Sequence, residues 1–451
     1  MDDKRIKLLK DAPVKKAINS MALPAIIGFI VTAIYNVVDT MFVAWLGTGA
    51  TGATQVIFPV AMLISSIGLC FGIGGGTFVS RLLGNKDYEK ANKVASTALF
   101  SSIIISVLFT ALSIIFIEPL LTLFGASSTI MDLSKSYGFY ILLGSLFQMG
   151  NMSMNNLLRS EGSAKMSMIG MATGAAINII LDPILIFGLD LGIAGAAIAT
   201  TTSQAITFLI LLSQYLRHKT VTRISFKFFT LSKEIYSQIF KIGIPTFLRQ
   251  VLFSFSIGFM NQAAVGTGGD SLLAAIGIVT KLIMVPNYII FGIGQGFQPV
   301  AGYNFGAGND ERVKDSLAYS IKISAMVSIT SAVILIVFGE QLMNIFKAAE
   351  EVVIYGVKGL RYFSLSLVLM SVTNTISIYY QAIGKGKESL ILSVARQGIF
   401  FIPAIFILPG ILGVEGVLIS QPVADILTMI LTMGMYIPFA KKKRLEAEMR
   451  I

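Results

Sequence analysis

The sequence predicts an all-α polytopic membrane protein with about twelve transmembrane helices in two pseudo-symmetric six-helix bundles. Four observations carry that prediction. Hydrophobic residues make up 55% of the 451-residue chain and charged residues only 13%, where a soluble domain carries about 25% charge. The apolar residues come in runs long enough to cross roughly 30 Å of hydrocarbon as helices. The links between runs alternate in charge, and the second half of the chain repeats the first.

Taken in order, the spans are expected near residues 17–45, 53–80, 93–117, 136–158, 165–187 and 193–216 in the first half. The second half gives 238–264, 271–297, 315–338, 355–382, 388–410 and 413–439. A basic start (Lys4, Arg5, Lys7, Lys10, Lys15, Lys16) precedes the first span. Links 81–93, 159–165, 217–241, 309–314 and 385–387 are basic, as is the tail Lys441-Lys442-Lys443-Arg444. The alternate links 47–54, 188–192, 266–271 and 410–416 contain neither Lys nor Arg. Basic loops stay in the cytoplasm, so both termini are expected there. No cleavable signal peptide is expected, because the first apolar run is too long for one and no small-residue cleavage site follows it.

The repeat is visible in short motifs. Gly72-Ile73-Gly74-Gly75-Gly76 returns as Gly292-Ile293-Gly294-Gln295-Gly296, and Gly84-Asn85-Lys86-Asp87 as Gly308-Asn309-Asp310-Glu311. Gly192-Ile193-Ala194-Gly195 returns as Gly413-Val414-Glu415-Gly416, and Pro24 matches Pro245. An even number of helices per half gives the halves one orientation, related by an axis along the membrane normal. The expected division is an N-terminal lobe over 1–216, a cytoplasmic connector over 217–241, and a C-terminal lobe with a basic tail over 242–451.

Two acidic residues stand where charge is costly. Asp39 and Asp182 lie inside apolar runs, and a carboxylate there costs about 2.5–3.5 kcal/mol on insertion scales. At 1.5 Å per helical residue, both fall in the outer slab of the first lobe, level with Thr200, Thr201 and Thr202. Asn178 shares a helix face with Asp182, and Tyr35 and Asn36 flank Asp39. Pro183 cannot donate to the carbonyl of Ile179, which leaves one more acceptor nearby. Carboxylates, amide, hydroxyl and carbonyl together suit a small cation or a shared proton. Two close carboxylates in low dielectric do not both ionise easily, so proton uptake near neutral pH is expected. The residues leave proton and sodium open. A buried pair that only fixes helix packing is the bland alternative.

The repeat places Ile402 opposite Asp182 and Met260 opposite Asp39, so the second lobe lacks this pair. It carries Lys281 and Asp425 instead, expected to brace that lobe as a mutual salt bridge, with a gating or substrate role as the other reading. Arg249 and Arg396 are expected to snorkel toward the cytoplasmic face. The glycine runs 72–76 and 292–296 lack the Lys-Ser/Thr of a phosphate loop, so close helix approach is their expected role. Met is frequent at 20 residues, with core filling as the default and an adaptable ligand cavity as the other reading. One cysteine, Cys70, and one histidine, His218, leave little for disulfides or for metal catalysis. The net charge of +11 is read as loop orientation in a lipid bilayer and not as nucleic-acid binding. No cofactor and no enzymatic activity are expected.

The stretch Gly292-Ile293-Gly294-Gln295-Gly296-Phe297-Gln298-Pro299, followed by Gly302-Tyr303-Asn304-Phe305-Gly306-Ala307, resembles the multidrug and toxic compound extrusion (MATE) family. So do Val38-Asp39-Thr40, Asp182-Pro183 and Gly192-Ile193-Ala194-Gly195-Ala196-Ala197. Within the family the chain is most similar to the bacterial MepA-type branch. The resemblance implies two six-helix bundles around a central cavity and secondary active efflux of cationic amphipathic drugs, by an antiporter of the bacterial inner membrane that confers antibiotic resistance. It implies coupling to H+ or Na+, with Asp39, Asn178, Asp182 and Thr200 matching the ion site and Pro24 a proline linked to bending of the first helix. Acidic residues that serve a sodium site in the seventh and tenth helices of some members are missing from 238–264 and 365–382. A monomer is expected. The alternative is a flippase of lipid-linked oligosaccharide or lipid from the same superfamily, which would want a basic cavity.

Overall fold

The computed structural model describes residues 4–346 and 349–448, the side chains of 444 and 446–448 excepted; Arg444 of the basic tail thus lies outside the described side chains. A short helix α1 (Lys4–Lys10) precedes α2 (Val14–Trp45), α3 (Thr48–Gly84) and α4 (Tyr88–Ile115). The first half continues with α5 (Ile117–Leu123), α6 (Met131–Ser160), α7 (Ala164–Pro183) and α8 (Gly192–Leu216). The second half holds α9 (Lys233–Gly306), α10 (Asp310–Val337), α11 (Gly339–Asn344), α12 (Glu350–Ala382), α13 (Gly386–Val394), α14 (Ile402–Leu412) and α15 (Val414–Glu448).

Ten helical stretches among the described residues are long and apolar enough to cross a membrane. One of them, the 74-residue α9, is broken at Gly269 (φ 61°, ψ −156°), a backbone conformation that essentially only glycine adopts. It therefore makes two passes. With α6 added, a 30-residue helix made more polar by Asn151, Asn155 and Asn156, the twelve expected spans are all present as helices. Most start a few residues earlier than hydropathy suggests, and two of the early starts have polar side-chain caps. The side chains of Asp87 and Asn309 accept from Lys90 N at 3.1 Å and Arg312 N at 3.0 Å, each starting a long helix. Likewise α9 begins at Lys233, inside the segment expected to be connector.

Two spans contain π-helical segments, Ile184–Gly188 after α7 and Ala395–Phe401 between α13 and α14. Pro183 abuts the first and Pro403 follows the second. Each proline lacks the N–H that would continue the i→i−4 ladder, and one widened turn absorbs the mismatch.

The two bundles join at one end and part at the other. A single core at the end bearing the termini takes Leu9, Ile18, Phe71 and Leu83 from the first half and Phe297, Tyr303, Tyr379 and Leu392 from the second. Toward the opposite end the cores are separate, one built within 43–197 and one within 260–424. The cleft between the bundles thus opens away from the termini. Glycine makes the closed end possible. A Cβ on Gly84 would lie 1.9 Å from Tyr303 O, and one on Gly306 would lie 2.0 Å from Arg81 O. The structural partner of Gly84 is therefore Gly306, two residues before the Gly308 that the motif alignment suggests. Both expected glycine runs also serve close approach: Gly74 abuts Ile239 O and Gly296 abuts Ala22 N.

The basic links gather at this closed end. Arg5 of α1 reaches Ser163 Oγ at 3.1 Å and Lys219 O at 2.5 Å, on the first-lobe side. Asn304 and Arg312 of the second lobe donate to Leu9 O at 3.0 and 3.3 Å. The N-terminal helix is thereby fastened to both lobes.

Candidate functional site

Helix α2 carries Asp39, α7 carries Asp182 in its last turn, and α8 brings Thr200 alongside. The carboxyl groups of Asp39 and Asp182 stand within hydrogen-bonding reach of one another. Asp182 is 0% exposed and Asn178 is 2% exposed. Asn178 Nδ2 donates to Asp182 Oδ1 at 3.3 Å and to Thr200 Oγ1 at 3.4 Å. Three buried oxygens here lack any hydrogen-bond partner: Asp39 Oδ1, Asp182 Oδ2 and Asn178 Oδ1. All three are acceptors. Buried acceptors without donors are unfavourable until a proton or a metal cation reaches them, so these oxygens have the chemistry to receive a cation.

Of the flanking residues, Tyr35 is close enough to feel the charge of both acids. Asn36 is not part of the cluster: its side chain is on an exposed face of α2 and only its carbonyl is engaged, by Thr40. Thr201 instead donates to Tyr140 O at 2.8 Å. Two tyrosines that the sequence reading missed complete the surroundings. Tyr137 of α6 lies within electrostatic reach of Asp39, Asp182 and Tyr35. Tyr288 of α9 acts on Tyr35 and stacks on Phe29 of α2 with ring centroids 6.0 Å apart, joining the two bundles below the cleft. An aromatic residue in an apolar helix carries no charge signature, so neither could have been singled out. Pro24 sits inside α2, whose helix runs unbroken past it.

The second lobe differs from its expected arrangement. Lys281 and Asp425 form no pair. Lys281 is exposed, whereas Asp425 is 1% exposed and bound by Arg396, Nε to Oδ1 at 2.6 Å and Nη2 to Oδ2 at 3.3 Å. Gln421 adds a bond to Asp425 Oδ2 at 3.2 Å. Arg396 therefore does not snorkel, because the π-helical turn that carries it points it across to α15. Arg249 stays inside as well, donating to Asn374 Oδ1 at 3.4 Å.

Comparison with known proteins agrees with this geometry. The MatE family model matches residues 24–184 and again 245–407, its two copies beginning on Pro24 and Pro245. The chain belongs to the MatE family. It is 30% identical over 449 residues to the multidrug export protein MepA of Staphylococcus haemolyticus, covering 99% of this chain and 98% of that one. It superimposes with a TM-score of 0.92 on an outward-facing multidrug resistance MATE transporter at 28% identity, with 100% of both chains covered. A MATE protein crystallised in a bent conformation gives a TM-score of 0.92 at 29% identity, covering 98% of this chain and 99% of that one. This MatE protein is accordingly a multi-pass membrane protein of two six-helix bundles.

Proposed function

We propose that the protein exports cationic amphipathic drugs in exchange for a proton or sodium ion, by alternating access, with Asp39 and Asp182 as the shared binding point. The observation that carries this reading is the trio of buried, unpartnered acceptor oxygens on Asp39, Asp182 and Asn178. A drug cation and a coupling ion would satisfy the same oxygens, so occupancy by one excludes the other. That competition is the thermodynamic core of antiport, provided the two facing states differ in affinity for each ligand.

In this mechanism the basic, closed end faces the cytoplasm and the cleft faces outward, across the bacterial inner membrane. An ion arriving from outside neutralises the acid pair, the drug cation leaves, and bending of α2 at Pro24 accompanies release. The lobes then rock inward, the ion departs, and the restored negative charge takes up another drug. One charge moving through 100 mV supplies about 2.3 kcal/mol for each turnover. The chain acts as a monomer, each cleft being complete within one copy.

Ethidium efflux from vesicles, under pH and sodium gradients imposed separately, tests the reading. Flux that follows one gradient and saturates with dye supports it and names the ion. Flux indifferent to both gradients refutes coupling.

A further inference from the structure

We infer that the second lobe holds an anion-receiving subsite at Arg249 and Arg396, which takes the carboxylate of a zwitterionic amphiphile whose cationic end lies at Asp39 and Asp182. The inference rests on the export reading above and narrows its substrate class.

The charge balance is the first ground. Two guanidiniums sit inside the lobe, Arg249 bonded to Asn374 and Arg396 to the carboxylate of Asp425. Asp425 is satisfied by Arg396 and Gln421, leaving the cluster one positive charge in excess. A charged group at membrane depth is costly unless it meets a counter-charge or water, and such groups mark ligand pathways.

The second ground is Arg249 itself. Of its five N–H donors one is engaged, by Asn374 Oδ1 at a long 3.4 Å, and the neighbouring charge it feels is the like charge of Arg396. It is half-buried, so its remaining donors are reachable. Its helix face is shared with buried Thr246 and Ser256, which turns it toward the lobe interior and not toward lipid. Phe253, one turn further along the same face of α9, is 43% exposed and offers an aromatic ring near that level. A planar fork with free donors near an exposed ring suits an aromatic carboxylate.

The third ground is the repeat. Gln421 lies eight residues after Gly413, as Thr200 lies eight after Gly192. Each lobe has a π-helical segment in the corresponding span, with Asp182 just before the first and Arg396 inside the second. The repeat sets Ile402 opposite Asp182, and Arg396 lies six positions before Ile402 on the same span, so corresponding spans carry an acid in one lobe and a base in the other, and a ligand across the cleft would meet opposite charges at its two ends.

The test uses the full-length protein in vesicles and one xanthene dye in two forms, the methyl ester (a plain cation) and the free acid (a zwitterion). The wild type is expected to export both. Arg249→Gln should lower export of the free acid about tenfold, the factor for one lost charge-assisted hydrogen bond, and leave the ester within about twofold. Unchanged ester flux also reports an intact fold. If Arg249→Gln fails to insert, Arg249→Lys keeps the charge without the fork and should show the same selectivity in smaller measure. Wild-type export of the ester but not the acid, or equal loss of both dyes in either variant, overturns the inference and leaves the export reading standing. Export of neither dye by the wild type removes the export reading and this inference with it.

Discussion

Asn178 donates its side-chain amide to Asp182 Oδ1 across 3.3 Å, one turn back on the same helix. That bond accounts for one oxygen of the acid pair and leaves Asp39 Oδ1 and Asp182 Oδ2 without donors. Asp39→Asn supplies what is missing, because an amide at this position donates to Asp182 without any ion. The variant should keep or gain thermal stability while losing drug export by at least about a hundredfold, the scale of a multi-kcal/mol loss of coupling. Melting temperature and vesicle efflux measured on one preparation check both halves. Full export in this variant would remove Asp39 from the mechanism.

The Arg396–Asp425 pair gives a prediction about stability. Asp425 is 1% exposed, and removing the partner of a buried charge costs about 3–5 kcal/mol. Arg396→Met should therefore lower the melting temperature in detergent by many degrees. Lys281→Met, on an exposed face, should change stability by no more than about 0.5 kcal/mol. Equal melting of the two variants would restore Lys281 as a partner of the buried acid.

These two sites show what a sequence discloses. Helical rise is constant and loop charge fixes direction, so depth was legible: Asp39, Asp182, Asn178 and Thr200 were placed at one level, and they meet. Azimuth was not legible. Lys281 and Asp425 also share a depth, but Lys281 lies on an exposed face of α9 away from Asp425, and the π-helical turn rotates Arg396 toward α15 by an amount no regular periodicity encodes. Asn36 lies at the same level but on an exposed face of α2, outside the hydrogen-bonded cluster. Close approach was readable as glycine runs, although the reciprocal fit of Gly84 and Gly306 needed backbone geometry.

That reciprocal fit sets the strength of the closed end. With its Cβ 1.9 Å from Tyr303 O, Gly84→Ala must push two backbones apart, an overpacking that costs about 1–3 kcal/mol. The strain falls on the state closed at this end, so the equilibrium shifts toward the state open there. Cys70 reports the change: its thiol is buried, and Gly243 of α9 packs against it. A membrane-permeant maleimide should label Cys70 slowly in the wild type and about tenfold faster in Gly84→Ala, the factor for a shift of about 1.4 kcal/mol. Equal labelling rates would show that this crossing does not hold the closed state.

The fastening of the connector should depend on pH through Glu161, outside the spans in the turn between α6 and α7. Its carboxylate is 0% exposed and accepts from Val221 N, Thr222 N and Thr222 Oγ1 at 3.1, 2.9 and 2.9 Å. Arg5 stands 3.7 Å away. Burial pushes the carboxyl up to about 7, outweighing the opposing bonds from Thr222 and Ser163 and the charge of Arg5. The folded protein therefore keeps a proton that the unfolded chain releases near 4.5. The sign follows from linkage: the stabilisation is fully present below about 4.5, is lost as pH rises through about 7, and changes no further above that. The span amounts to roughly 3 kcal/mol at most. Melting temperature in detergent should fall between pH 5 and pH 8, and Glu161→Gln, which cannot titrate, should flatten that slope while leaving drug export near wild type. A wild-type slope that persists unchanged in Glu161→Gln would assign the pH dependence to another group.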